Sequence, residues 1–452
     1  MKFFLVKPAL RLRGKIVLLG DKSIACRSII ISAISNGKTV IKNFPANKDC
    51  LYALRALRKL GVRIKEDAKD KNAGRVTVFG KGLEGLKKPK GPIFIGDSGT
   101  TLRLTLGILA GQNFSVTLTA GRGLSQRPML RVSAPLRMMG AEISARRIPN
   151  TQHPTPNTKF EEYPPIRIKG GDIQPITYKM PLASAQVKSA ILLAGLYAKG
   201  VTRVIENVKT RDHTERMLRL FRAGIKVKQN TIVIKERREL VSPAEIFIPG
   251  DISSASFFIV SAALVPGSEV LIKNVGLNPT RTGVIKVLKR MGAKIQVPGA
   301  RCQVPGFEPM GNLIVKSSQL KGTIVKEKEI PSLIDELPIL MVAACYARGK
   351  TVFEGVGELR VKETDRIRSM SANLIKMGAR IRVIKKDKSE DLIVYGVREL
   401  KGASVKSYAD HRTAMSMVVA ALRARGVTRI DDVACINKSF PNFLTLLKAL
   451  LH

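Results

Sequence analysis

Six times along the chain, apolar and polar positions follow one order. Each copy has a polar, charge-bearing start, an apolar run of helical length, a glycine, a β-rich segment, a second helix with one apolar face, and another glycine. The glycine after the apolar run falls at Gly37, Gly111, Gly200, Gly267, Gly349 and Gly426. A period of roughly 60 to 90 residues is too long for a solenoid repeat, so each copy is predicted to be a folded α/β unit.

The glycines also delimit the predicted elements. Strands are expected after the first glycine of a copy, for example at residues 38–43, 268–274 and Lys350–Phe353. The second helices should end in KLG, MMG, RMG and KMG at residues 59–61, 138–140, 290–292 and 376–378, with strands following at 293–297 and 379–383. A strand at residues 15–19 precedes the first copy, and from the residues alone it could complete either half of the chain.

The polar starts of the copies combine helix-capping residues with charges that a cap does not require. They read Asp21-Lys22-Ser23, Asp97-Ser98-Gly99-Thr100, Ser184-Ala185-Gln186, Asp251-Ile252-Ser253-Ser254, Asp335-Glu336 and Asp410-His411-Arg412. Any one of them could be an ordinary N-cap. If equivalent helix ends face a shared space, their free N–H groups and positive dipole ends suit a multiply anionic ligand.

The six copies group into two trios. Copies one to three run from about residue 22 to 240, and copies four to six from about residue 251 to the end, with Pro243 and Pro249 bracketing a short strand at the junction. Residues 146–165 are rich in Pro, Thr and Asn and include His153. They are predicted to form an irregular surface insertion without an assigned function.

Composition narrows the class of protein. A chain of 452 residues can form two or more domains, and five cysteines without CxxC spacing indicate neither a disulfide framework nor a zinc site. The apolar stretch before Lys7 is too short for a signal peptide, and no apolar run approaches 18 residues. A cytoplasmic protein without a membrane partner is expected.

The charge is strongly positive: 78 Lys and Arg against 35 Asp and Glu give a net charge of +43. Nucleic-acid binding would concentrate basic residues on one face and add aromatic side chains. Here basic residues occur in every copy, aromatics make up 5% and Trp is absent. Short clusters at residues 87–90 and 385–388 are interpreted as solvated surface, and no specific nucleic-acid partner is expected.

Eight separated motifs together resemble one enzyme family. They are GDKS at 20–23, GTTLR at 99–103, RPM at 127–129, SAQVK at 184–188, RDHTE at 211–215, NPTR at 278–281, RVKETDR at 360–366 and DHR at 410–412. In this order they resemble the enolpyruvyl transferases of the shikimate pathway, the 3-phosphoshikimate 1-carboxyvinyltransferase or EPSP synthase family. The resemblance covers nearly the whole chain.

The resemblance implies an α/β fold, a two-domain inside-out α/β barrel of six βαβαββ-like units, three per domain. The N-terminal strand would join the second trio, so the domains would be residues 22–249 and residues 1–21 plus 250–452. The active site would lie in the interdomain cleft, which closes on the first substrate. No metal or organic cofactor and a monomeric protein are expected.

Both substrates of this family, shikimate 3-phosphate and phosphoenolpyruvate, carry a carboxylate and a phosphate, which several Arg and Lys side chains can hold. The resemblance assigns phosphoenolpyruvate to Lys22, Gly99, Arg127, Gln186, Arg366, Arg412 and Lys438. It assigns shikimate 3-phosphate to Lys22, Ser23, Arg27, Ser184, Ala185, Gln186, Arg211, Asp335 and Lys362.

The family reaction joins the 5-hydroxyl of shikimate 3-phosphate to C2 of phosphoenolpyruvate through a tetrahedral intermediate that loses phosphate. Two carboxylates with different duties are then required. Asp335 is the candidate base for the hydroxyl, and Glu363 the candidate acid and base at the methylene carbon. Lys22 would stabilise the departing phosphate, and His411 would either shuttle protons or orient its neighbours.

Some positions depart from the family pattern. Cys26 stands where His or Asn is general, Asp97 where Asn is common, and Arg122 where an acidic residue often occurs, so an Arg122–Asp97 pair is a hypothesis. Gly99 bears on glyphosate, which occupies the phosphoenolpyruvate position in this family. Some tolerant members carry Ala at that position.

A sister enzyme, UDP-N-acetylglucosamine 1-carboxyvinyltransferase, is the alternative function. It typically uses a loop Cys as proton donor and has Asn after the first Lys. Here the corresponding loop, residues 121–128, has no Cys, and Ser23 follows Lys22. These residues favour the shikimate enzyme.

Overall fold

A computed structural model describes residues 3–67, 74–149, 158–235, 239–302, 307–386 and 389–451. They form twelve α-helices: α1 (Lys22–Ala33), α2 (Lys48–Lys59), α3 (Gly99–Ala110), α4 (Leu130–Met138), α5 (Ala185–Gly195), α6 (His213–Leu220), α7 (Ile252–Leu264), α8 (Gly283–Arg290), α9 (Leu337–Cys345), α10 (Arg366–Lys376), α11 (His411–Ala421) and α12 (Phe443–Lys448). Short 3₁₀ turns cover Leu124–Gln126, Glu327–Ser332, Gly357–Val361 and Ala434–Lys438.

The same residues form 24 strands: β1 (Phe4–Val6), β2 (Arg13–Val17), β3 (Lys38–Phe44), β4 (Arg63–Asp67), β5 (Gly74–Phe79), β6 (Ile93–Phe94), β7 (Ser115–Thr119), β8 (Glu142–Pro149), β9 (Phe160–Lys169), β10 (Thr177–Lys179), β11 (Val201–Ile205), β12 (Ile225–Lys228), β13 (Thr231–Lys235), β14 (Glu245–Phe247), β15 (Glu269–Gly276), β16 (Lys294–Gln296), β17 (Arg301–Cys302), β18 (Pro309–Lys316), β19 (Ile324–Val325), β20 (Lys350–Phe353), β21 (Arg380–Lys385), β22 (Glu390–Tyr395), β23 (Ser404–Val405) and β24 (Thr428–Ile430).

The chain divides into two compact units. The N-terminal unit comprises Leu19–Ile248 and Cys302–Glu308, and the C-terminal unit comprises Met1–Leu18, Pro249–Arg301 and Pro309–His452. The segment Cys302–Glu308 was not anticipated from the sequence, since it is separated from the rest of its unit by more than fifty residues. Phe307 is 2% exposed and packs in the core of the N-terminal unit, which accounts for this grouping.

Each unit contains three sheets of related topology. In the N-terminal unit the strand orders are β14-β3-β5-β4, β6-β7-β9-β8 and β10-β11-β13-β12. In the C-terminal unit they are β2-β15-β18-β16, with β17 beside β18, then β19-β20-β22-β21 and β23-β24-β1. In every sheet the strand after an apolar helix pairs in parallel with an edge strand.

The apolar helices lie inside the units and the sheets outside. All residues of α7 and α9 are buried, as are nearly all of α1, α3, α5 and α11. A helix that is apolar on every side is stable only when surrounded by protein, whereas strands such as β13 alternate buried residues with half-buried or exposed ones. The fold is therefore of the inside-out α/β class that the family resemblance implied.

Five of the six buried helices begin with a side-chain cap at the polar starts. The capping residues are Asp21, Ser98, Ser184, Asp251 and Asp410. Glu336 precedes α9 without a capping side-chain bond. The four second helices predicted to end in LG or MG end at Lys59, Met138, Arg290 and Lys376, as expected.

Two local expectations need correction. The irregular insertion predicted over residues 146–165 is wrong where the structure describes it, because β8 and β9 pair antiparallel from Arg146↔Tyr163 to Pro149↔Phe160. Buried Glu161 and Glu162 interrupt the apolar alternation of β9, which hid the strand. His153 lies outside the described residues. The strand predicted at residues 15–19, before the first copy, is β2, which begins and ends two residues earlier.

Candidate active site

In the N-terminal unit, Lys22 is the first residue of α1. Asp21 caps this helix by accepting a hydrogen bond from Ile24 N at 2.9 Å. Lys22 Nζ lies 2.8 Å from Asp49 Oδ2, and about a quarter of its side chain is exposed. The carboxylate therefore holds an accessible cation at a helix start. Asp49 was not among the predicted site residues.

Arg27 lies one turn further along α1 and is 3% exposed. Its guanidinium donates to Thr214 Oγ1 at 2.8 Å, Ser189 Oγ at 3.0 Å and the carbonyl of Ser23 at 2.9 Å. Burial lowers the pKa of Arg27 to about 10, and the charge of Arg211 also lowers it. Arg27 remains a cation at neutral pH, with Arg211 within electrostatic range.

The start of α3 is surrounded by cations. Arg103 donates to Gln186 Oε1 and to the carbonyl of Pro128, and Gln186 Nε2 donates to Thr100 Oγ1 at 2.9 Å. A Cβ atom on Gly99 would lie 3.0 Å from Nη1 of both Arg103 and Arg127. The fold thus places Gly99, Arg127 and Gln186 around Arg103. Arg103 was missing from the predicted site, although it ends the GTTLR motif.

Asp97 supports the loop that carries Arg127. Its Oδ1 accepts a hydrogen bond from Leu124 N at 2.9 Å. Gly121 and Gly123 pass so close to the carboxylate that a Cβ atom would lie 2.6 and 3.2 Å from Asp97 Oδ1. The carboxylate therefore has a structural contact that the sequence did not suggest. The Arg122–Asp97 pair stays a prediction.

The start of α5 contributes Ser184 and Ala185. Ser184 Oγ accepts from Val187 N at 3.4 Å, and Ala185 is the first helical residue. A residue at this position has a backbone N–H without an intrahelical acceptor, which suits an anion.

In the C-terminal unit, Arg366 is the centre of a carboxylate cluster and is 1% exposed. Its Nε lies 2.9 Å from Asp410 Oδ2, its Nη2 2.5 Å from Glu363 Oε2, and its Nη1 3.6 Å from Asp335 Oδ1. Burial lowers the pKa of Arg366, but the three carboxylates outweigh it and raise the pKa. One permanent cation therefore groups both predicted catalytic carboxylates.

Asp410 is the buried member of this cluster. Burial raises the pKa of its carboxyl, but Arg366 and His411 outweigh it and lower the pKa below 3.8. Asp410 also caps α11 by accepting from the backbone of Arg412 and Thr413. This aspartate belongs to the DHR motif but was not a predicted site residue.

Arg412 lies beside the same cluster. Its Nη1 donates to the carbonyl of Asp335 at 2.7 Å and lies 3.9 Å from Glu336 Oε1. Glu336 is fully buried and accepts from Ser253 Oγ, which also accepts from Arg281 Nη2 at 2.6 Å. The NPTR and DHR motifs thus meet at the start of α9.

The remaining predicted residues of this unit lie on neighbouring turns. Lys362 Nζ is 3.8 Å from Glu358 Oε1, and Arg360 binds Glu390 and Asp365 on either side of the segment that carries Lys362 and Glu363. Lys438 ends a 3₁₀ turn. Burial raises the pKa of Cys435 to about 11, with Asp410 raising and Lys438 lowering it, so both charges lie near this thiol.

Within the described residues, no cluster of three or more His, Cys, Asp or Glu side chains could hold a metal ion. No helix in the described part of the chain is long and apolar enough to span a membrane.

The family model for EPSP synthase (3-phosphoshikimate 1-carboxyvinyltransferase) matches residues 6–447. The chain belongs to the EPSP synthase family. Relatives named 3-phosphoshikimate 1-carboxyvinyltransferase include a Desulforamulus reducens protein, 44% identical with 99% of each chain covered, and a Petrotoga mobilis protein, 46% identical with 97% of each covered.

Solved structures agree with this family. EPSP synthase from Acinetobacter baumannii superposes with a TM-score of 0.83 at 41% identity, covering 99% of this chain and 98% of the other. The enolpyruvyl transferase NikO from Streptomyces tendae has a TM-score of 0.75 at 16% identity, which concerns the fold alone. Membership in the EPSP synthase family favours the shikimate enzyme over the UDP-N-acetylglucosamine enzyme.

Proposed function

We propose that the chain transfers the enolpyruvyl group of phosphoenolpyruvate to the 5-hydroxyl of shikimate 3-phosphate and releases phosphate. The observation that carries this function is the cluster of Asp335, Glu363 and Asp410 around the buried Arg366, in a chain of the EPSP synthase family. Two carboxylates held by one cation can exchange protons beside bound anions. The arginines of both units supply forked contacts to phosphate and carboxylate.

In this proposal the two units act on one substrate pair. The N-terminal unit contributes Lys22, Ser23, Arg27, Gly99, Arg127, Ser184, Ala185, Gln186 and Arg211, and the C-terminal unit contributes Asp335, Lys362, Glu363, Arg366, His411, Arg412 and Lys438. Arg127 and Arg412 would both hold phosphoenolpyruvate. Arg27 and Lys362 would hold shikimate 3-phosphate.

The carboxylates have separate duties. Asp335 takes the proton of the attacking hydroxyl, and Glu363 gives a proton to the methylene carbon and later removes it. The contact of Arg366 with both carboxylates keeps the two groups close. Lys22 balances the charge of the phosphate that leaves.

Phosphate release tests the function directly. The protein should release phosphate from phosphoenolpyruvate with shikimate 3-phosphate and not with UDP-N-acetylglucosamine. Asp335→Ala and Glu363→Ala should each lower kcat on the order of 10²-fold or more. Full activity in either variant contradicts the assigned roles, and turnover of the nucleotide sugar contradicts the function.

A double-mutant cycle tests whether both units contact the same ligand. Arg127→Ala and Arg412→Ala should each raise KM for phosphoenolpyruvate. If both arginines bind one anion, the rise in KM of the double variant should be smaller than the product of the two single rises. Fully independent effects would oppose a shared site.

A monomer in the cytoplasm completes the proposal. Light scattering coupled to gel filtration should return a mass near 49.4 kDa. Twice that mass at micromolar concentration would show a dimer instead.

A further inference from the structure

Two thiols meet inside the N-terminal unit. Cys26 lies on α1 and Cys50 in the first turn of α2, and their Sγ atoms are 3.9 Å apart. Both side chains are fully buried, and all five cysteines of the chain are free. The enolpyruvyl transfer proposed above uses neither thiol.

The surroundings make the two thiols unequal. The hydrogen bond from Cys50 outweighs burial and lowers the pKa of the Cys26 thiol, with Lys22 and Thr101 acting in the same direction. Burial raises the pKa of Cys50 well above its ordinary value. A thiolate is the reactive form of cysteine, so these shifts favour Cys26 over Cys50 as the thiol that reacts first.

Cys26 lies on the same helix as Lys22, and Cys50 lies next to the ion-pair partner of Lys22. Lys22 and Cys26 are four residues apart on α1 and therefore share a helix face. Asp49, whose carboxylate lies 2.8 Å from Lys22 Nζ, directly precedes Cys50. A disulfide has an S–S length of about 2.05 Å, so the two sulfurs would have to approach by nearly 2 Å from their present 3.9 Å. Closure should therefore shift the start of α1 or of α2, which carry Lys22 and Asp49.

We propose that Cys26 and Cys50 form a modification site for peroxide, which closes to a disulfide and displaces Lys22 from its substrates. The Cys26 thiolate attacks one peroxide oxygen and breaks the O–O bond. This leaves a sulfenic acid, and the released hydroxide takes up a proton to become water. The Cys50 thiol then attacks the Cys26 sulfur, forms the S–S bond, and expels the hydroxyl as a second water. Two thiols are oxidised while one peroxide is reduced.

The experiment treats the reduced, full-length protein with hydrogen peroxide and reads three quantities: free thiols after denaturation, peptide mass without reductant, and phosphate release. Two thiols should disappear, and a Cys26–Cys50 linked peptide should form with the loss of two hydrogens. The loss of Lys22 geometry should lower kcat/KM for phosphoenolpyruvate on the order of 10²-fold, and dithiothreitol should restore it.

Cys345→Ser is the matched control, since it removes another buried thiol, from the C-terminal unit. It should respond to peroxide as the unmodified protein does. Cys50→Ser should form no linked peptide and should keep its activity after peroxide, before any dithiothreitol is added.

Absence of the linked peptide in the unmodified protein overturns the modification site, and a linked protein with full activity overturns the coupling to Lys22. The activity readout rests on the proposed function, whereas the peptide mass does not. An untreated protein that never releases phosphate therefore refutes the function and leaves the thiol chemistry testable.

Discussion

At the scale of single residues, Gly99 determines how much room an anion has beside Arg103 and Arg127. A Cβ atom there would lie 3.0 Å from the Nη1 atom of each arginine, closer than ordinary van der Waals contact. Both contacts are to the ends of flexible side chains, which can shift. In the proposed site, the residue at position 99 would therefore limit the size of the ligand.

Gly99→Ala should therefore raise the inhibition constant of glyphosate more than the KM of phosphoenolpyruvate, because the longer anion needs the space that the methyl group takes. The difference should reflect an overpacking penalty of about 1–3 kcal/mol. Inhibition kinetics of both proteins measure it. An unchanged ratio of the two constants would place residue 99 away from the phosphoenolpyruvate site.

Asp410 has two structural roles. Its carboxylate pairs with Arg366, and it caps α11. Asp410→Asn leaves the buried guanidinium without its fully buried carboxylate partner and should cost about 3–5 kcal/mol of unfolding free energy. Denaturant titration at neutral pH measures the loss. Thr364→Val, which removes a hydroxyl 3.2 Å from the same carboxylate, should cost far less.

The pH dependence of this effect has a definite sign. The folded pKa of Asp410 is lowered, so its contribution is fully present above its ordinary value of 3.8 and is lost only as pH falls below that value. The stability difference between the wild type and Asp410→Asn should stay constant from neutral pH down to about pH 4 and shrink below it. A difference that shrinks already at pH 6 would show that another group governs it.

At the scale of elements, α5 and α6 are joined by a buried ion cluster. Lys188 Nζ on α5 lies 2.6 Å from Glu215 Oε1 on α6 and 3.2 Å from Glu206 Oε1, and all three side chains are at most 4% exposed. Ser189 and Thr214, the neighbours of this pair in sequence, hold Arg27. The cluster thus sets the spacing of the two helices that position Arg27.

Lys188→Met should destabilise the protein by about 3–5 kcal/mol, because two carboxylates then remain buried without their cation. Burial already raises the pKa of Glu215, and Lys188 is the charge that lowers it. Without Lys188 the pKa of Glu215 rises further. The loss of unfolding free energy in Lys188→Met should therefore be largest at neutral pH, and it should shrink toward about pH 5 because the carboxyl of Glu215 takes up a proton.

Lys188→Met combined with Glu215→Gln should recover part of the lost stability at neutral pH, and its pH dependence should be weaker. Thermal unfolding at several pH values compares the two variants. If the single variant loses the same stability at every pH, the buried carboxylates are not the cause.

At the scale of the whole molecule, the net charge of +43 surrounds sites whose proposed ligands are anions. Long-range attraction raises the local concentration of such ligands and is screened beyond about 10 Å at 0.1 M salt. The kcat/KM for phosphoenolpyruvate should therefore fall as potassium chloride rises, with a smaller change in kcat.

The exposed loop cations Lys88 and Lys90 offer a control for this screening. Lys88→Glu with Lys90→Glu should lower kcat/KM by less than about twofold at low salt and leave it unchanged at high salt. These surface charges act on the substrate only through the long-range electrostatic field, which salt screens. An equal loss at all salt concentrations would mean that these loop residues contact the substrate.

Local chemistry allowed the sequence alone to predict the elements, whereas the candidate site residues came from the resemblance to a family. Apolar runs without a polar face predict buried helices, and α1, α3, α5, α7, α9 and α11 are buried as expected. The capping residues at their starts act on backbone groups within three positions, so their pattern is readable along the chain. The family resemblance named Arg27, Arg127, Arg366 and both catalytic candidates without any knowledge of their contacts.

Contacts between distant segments were decided by the tertiary structure. β2 pairs with β15 and β14 with β3, and neither pairing follows from alternation, since an edge strand accepts any partner of suitable register. The grouping of Asp335, Glu363 and Asp410 around Arg366, and the meeting of Cys26 with Cys50, depend on how helices pack. Local periodicity shows which face a helix buries, whereas the neighbour opposite that face is chosen by long-range packing of the whole core.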